Sequence, residues 1–148
     1  MLIKPLHVNV IVKDLDEMLD FYRNVLGFEV MVESEIANEA FCQGVGLPDA
    51  SVKMAHLRLP GSDFRVEMFQ YNNLVPNPQS ADWLNQQGYR HIAFQVHDLE
   101  QAYQELMNQG VPFVSPPLLV TESGYAAGVR FCCLRDPEGN LIELIQRP

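Results

Sequence analysis

The stretch His7–Gly27, "HVNVIVKDLDEMLDFYRNVLG", returns past the midpoint of the chain as His91–Gly110, "HIAFQVHDLEQAYQELMNQG". Both copies open on His and reach Asp-Leu seven residues later, at Asp14-Leu15 and Asp98-Leu99. An internal repeat of this length sets the architecture, so it is read before anything else. In the first copy His7, Asn9 and Ile11 alternate with Val8, Val10 and Val12, the period of a β-strand. Asp14 with Glu17 three residues on forms a capping box, and Leu15, Met18, Leu19, Tyr22 and Leu26 make an apolar stripe at helical spacing. Gly27 suits a left-handed helix end. The second copy follows the same rules. His91, Ala93 and Gln95 alternate with Ile92, Phe94 and Val96. Asp98 and Gln101 cap a helix striped by Leu99, Ala102, Tyr103, Leu106 and Met107, and Gly110 ends it.

Strand-like segments follow each helix. They are Phe28–Ile36, Val52–Leu59 and Phe64–Tyr71 in the first half, and Pro112–Val114, Val129–Arg135 and Asn140–Gln146 in the second. Turns fall at "LPGSDF" and "RDPEGN". The halves also end alike, "FRVEMFQ" against "NLIELIQ", which aligns Glu67 with Glu143 and Gln70 with Gln146. The expected fold class is α+β: a single domain over 1–148 built from two βαβββ modules, about 5–72 and 90–147. A linker at about 73–89 carries a short helix capped by Ser80.

Composition narrows the function. The 148 residues are 47% apolar and 20% charged, enough for a packed core and too apolar for a disordered chain. The net charge of −9 argues against nucleic acid and anionic membranes as partners. No apolar run spans a bilayer and the N-terminus lacks a signal-peptide pattern, so a cytoplasmic protein is expected. Cys42, Cys132 and Cys133 are odd in number and lack CxxC spacing, which suggests neither a disulfide framework nor a zinc-thiolate site.

The duplicated polar residues carry the chemistry. His7 and His91 open matching strands, and Glu67 and Glu143 sit at matching positions in the closing strands. A lone strand His is more often a surface residue, and a lone Glu more often a solvated one. A His pair matched by a Glu pair points instead to a divalent cation, because two imidazoles and two carboxylates suit Zn²⁺, Ni²⁺, Co²⁺, Mn²⁺ or Fe²⁺.

These residues carry a resemblance. "HVNVIVKDLDEMLDFYRNVLGFEV", "FRVEMFQY", "HIAFQVHDLEQAYQELMNQGV" and "LRDPEGNLIELIQRP" resemble the vicinal oxygen chelate superfamily, which includes glyoxalase I, methylmalonyl-CoA epimerase, extradiol dioxygenases and bleomycin-resistance proteins. The resemblance implies an incompletely closed, curved β-barrel holding one divalent metal through His7, Glu67, His91 and Glu143. A carboxylate at both Glu positions favours the glyoxalase I-like or epimerase-like branch. There a small-molecule substrate with vicinal oxygens loses a proton next to its carbonyl through an enediolate. Glu143 is the expected base and Glu67 its partner, with the reverse assignment left open.

Two alternatives stand beside this reading. An Fe(II) extradiol-type dioxygenase would use His7, His91 and Glu143, and a non-catalytic small-molecule or antibiotic binder would use no metal. "FCQGVGLPDASVKMAHLRLPG" departs from a typical glyoxalase I and leaves the substrate open. His56, Arg65, Tyr125 and Arg130 are candidate cleft residues. A homodimer is expected, with the metal inside one chain or between two.

Overall fold

The computed structural model describes residues 3–76 and 87–148. The expected helix at Ser80 lies outside them. The chain divides into two compact units, Met1–Asn77 and Pro78–Pro148. The fold class is α+β, with one four-stranded mixed sheet in each unit.

In the first unit, strand β1 (His7–Ile11) buries its even residues more deeply than its odd ones, as the alternation predicts. Asp14 caps helix α1 (Leu15–Asp20), accepting from the Glu17 N–H at 3.1 Å. The helix continues through one π-type turn, Phe21–Val25, before Gly27 takes φ +76°. That turn sets Tyr22, 1% exposed, edge-on to Phe28 at 5.3 Å between ring centroids. Strands β2 (Glu29–Ile36), β3 (Val52–Arg58) and β4 (Arg65–Tyr71) complete the sheet in the order β1-β4-β3-β2, with β1 parallel to β4 and the rest antiparallel. The core under α1 comprises Val12, Met18, Ala55, Leu57, Val66 and Met68.

Between β2 and β3 lies helix α2 (Glu39–Val45), which the sequence reading left unassigned. Its signals are local. Asn38 caps it through the Phe41 N–H at 2.9 Å, and Gly46 closes it at φ +71°. Its seven residues hold too little apolar periodicity to stand out.

The second unit repeats the plan. Strand β5 (His91–Gln95) leads to helix α3 (Leu99–Asn108), capped by Asp98 through the Gln101 N–H at 2.9 Å. Strands β6 (Leu118–Leu119), β7 (Arg130–Arg135) and β8 (Leu141–Gln146) give the order β5-β8-β7-β6, with β5 parallel to β8. The expected strand Pro112–Val114 is reduced to one bridge, Phe113 to Leu134, and regular pairing resumes only at Leu118. Pro112, Pro116 and Pro117 lack the N–H that a ladder needs.

The aligned glutamines are joints. Gln70 Oε1 accepts the Leu15 N–H at 2.9 Å, and Gln146 Oε1 accepts the Leu99 N–H at 2.8 Å. Each closing strand thereby satisfies an orphan donor at the start of its unit's helix.

Candidate metal centre

Strand register gathers the polar residues of each unit into rows. In the first unit Asn9 and His56 flank Glu67 across neighbouring strands, while His7 and Arg58 flank Arg65 one row away. On the other side of the Glu67 row lie Met54, Phe69, Val52 and Tyr71. Phe41 from α2 stacks on Tyr71 at 6.2 Å and meets Phe69 edge-on at 5.9 Å. The carboxylate therefore sits between a basic rim and an apolar cluster.

Glu67 is 12% exposed and has three neighbours. His56 Nε2 lies 2.7 Å from Oε1, and Asn9 Nδ2 donates to Oε2 at 2.9 Å. His7 Nε2 stands 3.5 Å from Oε2. The second unit has the matching pair, with His91 Nε2 at 3.4 Å from Glu143 Oε2. There the flanking positions are Ala93 and Cys133. Burial and the nearby Glu143 carboxylate both raise the Cys133 thiol pKa.

The two His–Glu distances exceed the ordinary hydrogen-bond range of about 2.7–3.2 Å. Two ligands each about 2.1 Å from one divalent ion stand roughly 3 to 3.4 Å apart, a spacing that the 3.4 Å pair meets and the 3.5 Å pair slightly exceeds. Among the described residues, no group of three or more His, Cys, Asp or Glu side chains is spaced to hold a metal ion. The second unit supplies one His–Glu pair, and the first supplies the matching pair with His56 also on its Glu.

The remaining candidates fall in different places. His56, 16% exposed, joins the Glu67 row. Arg65 is exposed on β4, in register with His7. Arg130 lies on the other face of its sheet from Glu143 and pairs with Glu100 of α3 at 3.3 Å. Tyr125 is 94% exposed in a turn. Asn9 is the site residue that sequence reasoning passed over. Its signal was parity, because it stands two residues after His7 on the same strand face.

A family model described as the Glyoxalase/Bleomycin resistance protein/Dioxygenase superfamily matches residues 4–144. The chain belongs to that superfamily. A 2-epi-5-epi-valiolone epimerase from Actinomyces sp is 30% identical over 151 residues, covering 96% of this chain and 78% of the relative. A glyoxalase family protein from Bacillus cereus superposes with a TM-score of 0.77 at 24% identity, covering 99% of this chain and 95% of the other. A trypanothione-dependent glyoxalase I from Leishmania major superposes at 0.64 with 22% identity, covering 97% and 86%. Both structures share the fold of this superfamily member. No helix among its described residues is long and apolar enough to cross a membrane.

Proposed function

We propose that this protein is a metal-dependent isomerase or lyase of the epimerase-like or glyoxalase I-like type. His7, Glu67, His91 and Glu143 would hold one divalent cation, within one chain or between two copies. The observation that carries this reading is the His–Glu pair recurring at matched positions, 3.5 Å apart in one unit and 3.4 Å in the other. The relative whose printed name is an epimerase supports the reaction class. When bound, a Zn²⁺, Ni²⁺, Co²⁺, Mn²⁺ or Fe²⁺ ion supplies Lewis acidity toward the two adjacent oxygens of a small-molecule substrate.

Glu143 is the base. Its carboxylate takes the proton from the carbon next to the substrate carbonyl and exchanges it with solvent. A proton delivered from solvent to the opposite face of that carbon gives epimerisation, and return of the Glu143 proton to the neighbouring carbon gives isomerisation. Glu67 remains in place as the partner carboxylate. Arg65, exposed beside His7, is available to an anionic group on the substrate.

The test is proton exchange in D₂O, followed by NMR across a panel of α-hydroxycarbonyl compounds. Wild-type protein is expected to place deuterium next to the carbonyl of at least one compound. Glu143→Gln is expected to lower that rate by about 10²–10⁴-fold. Oxygen consumption with Fe²⁺ and no exchange would favour the dioxygenase instead. Exchange unaffected by Glu143→Gln would move the base elsewhere.

A further inference from the structure

The two carboxylates occupy matched strand positions in different company. Glu67 is gripped from both neighbouring strands, by Asn9 on β1 and His56 on β3. The two contacts fall on different oxygens, His56 on Oε1 and Asn9 on Oε2. Glu143 has neither grip. Ala93 stands where Asn9 does and offers no side-chain donor, and Cys133 stands where His56 does and is at best a weak one. Among the described residues, Glu143's one ion pair is with His91, at 3.4 Å.

We infer that His56 and Asn9 are positioning residues that lock Glu67 in a fixed ligating orientation, while Glu143, lacking both, is the carboxylate left free to move a proton. The inference deepens the proposed function and rests on it. A glutamate has three rotatable side-chain bonds, so an ungripped one exchanges rotamers readily. Oε2, held by Asn9 and nearest to His7, keeps a second lone pair that could ligate a cation. Outer partners of ligating carboxylates act in this way, and losing one costs about 10- to 100-fold in metal affinity. The two positions flanking each Glu, Asn9 and His56 against Ala93 and Cys133, would thus make one carboxylate static and the other mobile.

The experiment is a Co²⁺ titration of the full chain, followed by visible absorption and calorimetry, with circular dichroism reporting the fold. His56→Leu is expected to weaken Co²⁺ binding by about 10- to 100-fold. His56→Gln, whose amide N–H can reach the same oxygen, is expected to restore near-wild-type affinity. Cys133→Ala, at the matched position, is expected to leave affinity nearly unchanged. If His56→Leu does not fold, Asn9→Ala serves in its place, with a smaller loss in the same direction. A folded His56→Leu or Asn9→Ala protein that binds Co²⁺ like wild type overturns this inference alone. Wild-type protein that takes up no Co²⁺ overturns the proposed function, and this inference with it.

Discussion

At the scale of single residues, Cys132 and Cys133 show how strand parity divides a dipeptide. Cys132 is fully buried under α3, and Cys133 faces the Glu143 row. Burial pushes the Cys132 thiol up from its ordinary 9.0 to about 11, helped by the Cys133 thiol and the Glu100 carboxylate. The folded state therefore holds this proton more tightly than the unfolded chain does. The resulting stability is fully present below pH 9 and is lost as pH rises through about 11. The loss should amount to roughly 2–3 kcal/mol. Urea midpoints at pH 8 and pH 10.5 check this: wild type should drop more than Cys132→Ala, and equal drops would contradict it. The identity of the paired residues was legible in the sequence because duplication marks them twice. The grip on Glu67 was not, because it depends on which strands adjoin β4, and no spacing records that His56 lands opposite Glu67.

At the scale of elements, each helix is tied to its unit's closing strand by one glutamine. Gln70→Ala and Gln146→Ala each leave a helix N–H without its acceptor, as losing a cap does. Each substitution should cost about 1 kcal/mol, measured by chemical denaturation, with the two effects similar in size. A cost near zero for both would show that water replaces the glutamines without loss. The long repeated elements were readable because apolar periodicity and capping residues agree in them. Helix α2 was missed because a seven-residue helix carries too little of that periodicity. Pro112–Val114 forms one bridge and no full strand, because the prolines around it remove ladder donors that its apolar residues do not reveal.

At the scale of the whole molecule, the proposed cation would draw on two His–Glu pairs at equivalent positions of the two units. Each unit brings its own His and Glu together, from a parallel pair of strands, at nearly the same distance. Each sheet ends in two edge strands, and we propose that a dimer covers them. The substrate was not legible at this scale. The superfamily hosts several chemistries on one scaffold, and the segment around α2 follows no typical glyoxalase I pattern. Native mass spectrometry of protein purified at low oxygen, without added metal or chelator, reads the bound ion directly. The account predicts one Zn, Ni, Co or Mn ion per chain in a dimer, with the ion lost in both His7→Ala and His91→Ala. One Fe²⁺ per chain together with oxygen consumption would move the reaction toward ring-cleaving oxygenation. A metal-free chain, even after reconstitution, would contradict the account and leave a binding protein on the same scaffold.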